Sequence, residues 1–230
     1  MNLDHSFAKI HTVSSKSHDV FLPWFNTIRD VYPDIEVCVT HIDQVCESGV
    51  FRTDGWREAT LSKLKAILKI LDPLDESVFV YSDIDVQFFR PFHDVINKLL
   101  IDNDIVFQND YRGKQCTGFF ACRRTHIVKE LFSKALWALE NKIDNAKGDQ
   151  MATHTALRTI PSLKHAMLPV EFFTYGYYYR QWTGEDFSIP NDIVMHHANY
   201  TVGISNKLAL LQYVRDTYDC YQSTICYQSQ

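Results

Sequence analysis

Val78 to Phe92 reads VFVYSDIDVQFFRPF. An apolar run ends in Asp83 and Asp85, apolar residues resume at Val86, and Arg90-Pro91 closes the stretch. Val78 to Ser82 is apolar on both faces, the pattern of a strand in a sheet covered on both sides. Residues two apart on a strand share a face, so Asp83 and Asp85 are expected to project together while Ile84 turns back into the core. Two carboxylates this close repel each other, and one resists ionisation unless a cation lies between them. Their hard oxygens suit Mg2+ or Mn2+. In open α/β sheets, ligands bind beyond the carboxyl ends of the strands, where this pair falls. A D-x-D string alone is short, and a capped, solvated turn explains it equally well. Apolar packing on both sides tips the balance, because acids are costly there without a partner.

The flanking sequence supplies the sheet. Phe7 to Val13 and Ile35 to Thr40 read as strands, with a predicted helix over Asp19 to Val31 that carries Pro23 in its first turn. A polar loop runs through Gly49 and Gly55. Glu58 to Leu71 is the clearest helix, with Leu61, Leu64, Leu68 and Leu71 on one face and Asp72-Pro73 as its stop. Asp104 to Gln108 and Thr117 to Cys122 are further strands. Thr125 to Glu140 is an amphipathic helix, and Asp149 to Leu157 begins another. Ala166 to Phe173 and Ile193 to His196 are short strands, and Asn206 to Tyr218 is a last helix. Alternating strands and helices imply an α/β fold with a mostly parallel central sheet flanked by helices. No repeat or linker interrupts it, so one domain over residues 1–230 is expected.

Composition narrows the partners. The chain has 230 residues, 46% hydrophobic and 22% charged, which is globular rather than disordered. A formal charge of −5 lacks the basic footprint of a nucleic-acid binder. Cys38, Cys46, Cys116, Cys122, Cys220 and Cys226 form no CxxC pair, and scattered reduced thiols are expected. Cys220 and Cys226 lie near enough in sequence to pair, but nothing demands it. The N-terminus lacks the basic start and apolar run of a secretion signal, and no segment reaches the ~18 apolar residues of a membrane span. A soluble, cytoplasmic chain follows, compatible with its being part of a longer protein.

VFVYSDIDVQFFRPF resembles the D-x-D strand of GT-A-fold glycosyltransferases, closest to the retaining, metal-dependent nucleotide-diphospho-sugar transferases. GWREATLSKLKAILKIL (Gly55 to Leu71), CTGFFACRR (Cys116 to Arg124), GDQMATHTAL (Gly148 to Leu157) and HHANYTVGISNKLALL (His196 to Leu211) match in the same order. The resemblance implies a basic residue facing the nucleotide about eighteen positions before the first aspartate, which is Lys65, with Arg57 and Lys63 as neighbours. It implies nucleotide-sugar contacts at Thr12, Val13, Ser14, Lys65, Asp83, Ile84, Asp85, Thr117, Gly118, Gly203 and Lys207. Asp149 would contact donor hydroxyls and Gln150 would lie near the reacting face, as the catalytic pair. His154 stands where the family often has Asn, and Cys116 where it usually has a polar residue. Asp83, Asp85 and His197 would hold Mn2+ or Mg2+, with Asn199 supporting the loop; strand alternation leaves His196 as the competitor. Aromatic Glu171 to Trp182 serves equally as acceptor platform or as core.

The implied activity is transfer of a sugar from a nucleotide-diphosphate donor, UDP favoured, to a hydroxyl acceptor such as a glycan, with retention favoured. Asp149 and Asp110 are the carboxylates that could instead act as an inverting base. Two other classes remain. A sugar nucleotidyltransferase also holds Mg2+ on paired carboxylates, but TVSSKSHDV after the first strand lacks its usual glycine-rich phosphate loop. An inactive nucleotide-sugar-binding module would not need Asp83, Asp85 and His197 intact.

Overall fold

A computed structural model describes residues 9–46, 53, 55–110, 113–178 and 180–228, with side chains to 224. Phe7, Gly49 and the Cys226 side chain lie outside that set. β1 (Lys9–Ser14) and β2 (Glu36–His41) pair in parallel. Between them the predicted Asp19 to Val31 helix is broken. A 3-10 turn over Lys16–Phe21 leads into α1 (Leu22–Phe25) and α2 (Ile28–Val31). Thr27 sits at the break, where its hydroxyl donates to the Trp24 carbonyl at 2.7 Å and accepts the Phe88 N–H at 2.8 Å. A hydroxyl bonded to nearby backbone competes with helical pairing.

α3 (Trp56–Ile70) precedes β3 (Val78–Ser82), which lies parallel to β1. β4 (Val86–Phe88) and α4 (His93–Leu100) follow. The sequence reading did not anticipate α4, which buries Ile96 and Leu100 just after Pro91. β5 (Ile105–Asn109), β6 (Gln115–Arg123), α5 (His126–Glu140) and α6 (Asp149–Leu157) come next. The predicted Ala166 to Phe173 strand is two strands, β7 (His165–Met167) and β8 (Phe172–Thr174). Pro169 falls between them and lacks the N–H a ladder needs. β9 (Met195–His197) and α7 (Ile204–Gln228) complete the described elements.

The main sheet has the order β2-β1-β3-β6-β5-β7, and a smaller sheet has the order β4-β9-β8. In the main sheet only β6 runs against its neighbours β3 and β5; the other pairings are parallel. Strand alternation sends Val80 and Val106 to one core, with Phe25, Phe92, Leu211 and the small sheet. Phe79, Tyr81 and Phe107 face the other core, with Leu64, Ile67, Leu131 and Phe132 of α3 and α5. The chain is thus an α/β fold with a mostly parallel sheet between helical layers. No helix among the described residues is long and apolar enough to cross a membrane.

One half-buried and one buried histidine set a pH response. Burial pushes the His11 imidazole down to about 4, with Arg124 adding to the effect. Burial pushes His196 down to about 3, with His197 adding to it. The unfolded chain binds these protons near pH 6.5, so between about 6.5 and 4 it holds more of them than the fold does. Stability is therefore intact above about pH 6.5 and declines as pH falls. His11→Asn should flatten part of that decline. Urea midpoints at about pH 7 and about pH 5 test this, and a variant as pH-sensitive as wild type counts against it.

Candidate active site

β3 ends at Ser82, and Asp83 to Asp85 form the turn that carries the chain from the main sheet into β4 of the small one. The two carboxylates are therefore not strand neighbours, as the sequence suggested; the turn brings them together. Its two ends are pinned. The Asp83 N–H donates to the Gly118 carbonyl at 2.6 Å, and the Asp85 carbonyl accepts the Ala198 N–H at 2.9 Å. The second bond draws β9 alongside, with His197 opposite Val86. His197 Nε2 lies 3.4 Å from Asp85 Oδ1 and 3.9 Å from Asp83 Oδ2. One ligand atom from each of Asp83, Asp85 and His197 falls within 4.8 Å of the others.

His196 faces the opposite way. Its ring stacks on Phe173 with centroids 5.7 Å apart, and its Nδ1 is 3.3 Å from the Gln87 amide nitrogen. Gly118 makes the approach of His197 possible. A Cβ there would lie 2.8 Å from His197 Nδ1 and 2.9 Å from Asp83 Oδ2, closer than real side chains tolerate.

Two lysines offset part of the charge in this corner. The Lys207 ammonium bonds Asp85 Oδ2. Burial alone would raise the Asp85 carboxyl, but Lys207 and then His197 outweigh it and hold the group well below the usual range. Lys63, on α3, places its ammonium 2.7 Å from Asp83 Oδ1 and 2.8 Å from Asp149 Oδ2. Burial disfavours that charge, yet Asp149 and Asp83 overcome it and raise the lysine well above its usual value. Asp149 also accepts the Thr117 hydroxyl at 2.7 Å. Against burial, Lys63 pulls the Asp149 carboxyl below its usual value. Formally, the carboxylates of Asp83, Asp85 and Asp149 outnumber the ammoniums of Lys63 and Lys207 by one. Two carboxylates and an imidazole in a corner with excess negative charge fit a divalent cation.

The structure places Lys65 apart from this cluster. Its ammonium is 3.7 Å from Glu140 and its side chain is 60% exposed, away from the carboxylates. Two residues along a helix turn the side chain by roughly 200°, so Lys63 and Lys65 cannot both face the site. Lys63 was legible as a cation inside the buried stripe Thr60, Lys63, Leu64, Ile67, where an unpaired lysine is rare.

The remaining residues divide. Gln150 begins α6 beside Asp149 and donates through Nε2 to Asp110 Oδ2 at 3.0 Å. Asp110 is 1% exposed, and its Oδ1 has no partner among the described residues. Thr12 and Ser14 end β1 next to β3 and are buried; the Ser14 hydroxyl donates to Asp19 at 2.7 Å. Val13 packs into the α3–α5 core and the Ile84 side chain is buried. Gly203, at φ +86, precedes α7, and its carbonyl accepts the Lys207 N–H. Asn199 accepts the Gly176 N–H at 3.1 Å. His154 is occupied by the Gln115 carbonyl at 2.8 Å. In the aromatic stretch, Phe172, Phe173 and Tyr175 are core while Tyr177 is 53% exposed. Gln108, not singled out from the sequence, places Oε1 3.0 Å from His197 Nδ1.

Several solved glycosyltransferases share this architecture. The galactosyltransferase LgtC, solved with donor and acceptor sugar analogues, superposes with a TM-score of 0.54 at 14% identity, over 82% of this chain and 86% of that one. A glycosyltransferase involved in glycosylation of the major capsid of PBCV-1 gives 0.60 at 10% identity, over 89% and 98%. Mouse xyloside xylosyltransferase 1 gives 0.53 at 9% identity, over 83% and 97%. At such identities the likeness shows the fold. No curated protein matches by sequence. The sequence pattern described as nucleotide-diphospho-sugar transferase, however, matches residues 24–211, most of the chain and nearly all of the site. The chain belongs to the nucleotide-diphospho-sugar transferase family.

Proposed function

We propose that this glycosyltransferase moves a sugar from a UDP-sugar to a hydroxyl acceptor, such as a glycan, with Mn2+ or Mg2+ held by Asp83, Asp85 and His197. The observation that supports it best is the convergence of those three side chains, from the β3–β4 turn and β9, beside the Lys207 ammonium. A bound divalent cation supplies positive charge to the diphosphate leaving group. Lys207, free to turn from Asp85 to phosphate, adds a second positive centre. Thr12 to Ser14, the Ile84 backbone, Thr117, Gly118 and Gly203 line the donor side of the same reading, with Lys63 replacing Lys65.

Asp149, held by Lys63 and Thr117, would accept from donor hydroxyls in this reading. Gln150 is oriented by a carboxylate that can only accept, so its amide nitrogen is engaged and its carbonyl oxygen is left for the reacting face. Retention is the favoured outcome, on the resemblance of the Asp149-Gln150 helix start to retaining members. Residues 1–230 act as one catalytic domain in this reading. The test is hydrolysis of a panel of nucleotide sugars with and without Mn2+. Turnover of a UDP-sugar that requires the metal is expected, and a panel that is neither bound nor cleaved in its presence would refute the proposal.

A further inference from the structure

We infer that Gln108 selects the tautomer of His197, placing its ring proton on Nδ1 and turning the Nε2 lone pair toward Asp83 and Asp85. The inference rests on the metal-site reading above and extends it to a positioning residue. Gln108 is fully buried. Its Nε2 is 3.1 Å from the Phe172 carbonyl, 3.0 Å from the Phe173 carbonyl and 3.4 Å from the Met195 sulfur. Carbonyl oxygens accept and never donate, so the amide NH2 must face them. That fixes the amide flip, and Oε1 points the other way, 3.0 Å from His197 Nδ1. An amide oxygen also only accepts, so Nδ1 carries a hydrogen. In the neutral ring the other nitrogen is then bare. That nitrogen is Nε2, the atom nearest both aspartates.

The fold aims Gln108 on purpose-built geometry. The β5–β6 register slips between Phe107 and Gln108, so Gln108 lies opposite Cys116 instead of Phe119. Bulges of this kind redirect side chains beside functional sites. The Cys116 sulfur is also near Nδ1, at 3.7 Å, but it is the farther and weaker acceptor and already takes the Gly118 N–H at 3.4 Å. A metal-bound histidine normally donates its second N–H to such a partner, which fixes ring orientation and raises ligand basicity.

Two substitutions separate accepting from donating. Gln108→Glu keeps an acceptor for Nδ1–H and loses the donors to Phe172 and Phe173; Gln108→Met loses both. If Gln108 sets the tautomer, Mn2+ affinity measured by calorimetry should drop about 10- to 100-fold in Gln108→Met and be largely preserved in Gln108→Glu. Equal losses in the two variants, or a larger loss in Gln108→Glu, would mean that the amide only ties the sheets together. The metal-free wild-type protein gives an independent readout. With 15N-histidine and His197→Gln for assignment, nitrogen correlation spectra at alkaline pH should show the His197 ring protonated on Nδ1 alone. Protonation at Nε2, or at both nitrogens throughout, overturns the inference even if neither variant folds. Wild-type protein that shows the Nδ1 tautomer but binds no Mn2+ would instead remove the metal reading and leave the orientation standing.

Discussion

Asp85→Asn should lower metal-dependent donor turnover by about 100- to 1,000-fold, the scale of removing one preorganised group that stabilises transition-state charge. Asp85 is 6% exposed and touches both His197 and Lys207. The substitution keeps the shape and removes one charge, and it converts the more buried carboxylate of the proposed ligand trio into a weak neutral donor. It also leaves the Lys207 ammonium without its anion, so the corner loses its formal negative excess and with it part of the attraction for a cation. Mn2+ affinity and turnover should therefore fall together. The decisive comparison is turnover at low and at saturating Mn2+. A variant with wild-type turnover at both would eliminate Asp85 from the site, even with the family assignment intact. A variant that loses turnover yet binds Mn2+ as wild type would assign Asp85 to Lys207 and the donor rather than to the metal.

What was legible in the sequence follows from which interactions are local. The β3 strand, the α3 helix and the Asp149 helix start rest on period-2 or period-3.6 burial and on short-range stop signals, and they appear within a few residues of their expected bounds. The Asp19 to Val31 segment failed because Thr27 bonds Phe88, sixty-one positions away, and no local pattern announces that. The same limit governed the site. That Asp83, Asp85 and a later histidine meet was readable only through ordered resemblance, since the turn that gathers them is pinned by Gly118 and Ala198 from distant strands. The choice between His196 and His197 needed the β4–β9 register, which puts His197 beside Val86. Lys65 was picked by spacing from the aspartate, whereas helical phase around Leu64 and Ile67 pointed to Lys63. Gln108 carried no signal at all, because its partners come from β8 and β9.

The lysine correction makes the second large prediction. Lys63→Met should cost roughly 3–5 kcal/mol of folding stability, the usual penalty for removing one partner of a buried charge pair. Lys65→Met should stay within about 0.5 kcal/mol of wild type, as surface substitutions generally do. The two side chains sit two residues apart on one helix and have similar length, so propensity and entropy nearly cancel between them. What differs is what each ammonium leaves behind. Lys65 faces one exposed glutamate at 3.7 Å, an interaction solvent already screens. Lys63 holds Asp83 and Asp149 at 2.7 and 2.8 Å from an 11% exposed side chain. Without it the two carboxylates keep the Tyr81 and Thr117 hydroxyls and the Gln150 backbone N–H as donors, and none of these carries a compensating charge. Urea unfolding of both variants in chelator measures the difference without any metal contribution. Donor turnover should separate them in the same order, because Asp83 and Asp149 lose the group that fixes both. If the two variants unfold at the same urea concentration, Lys63 is not the electrostatic keystone of this corner, and the aspartates must be held by the turn alone.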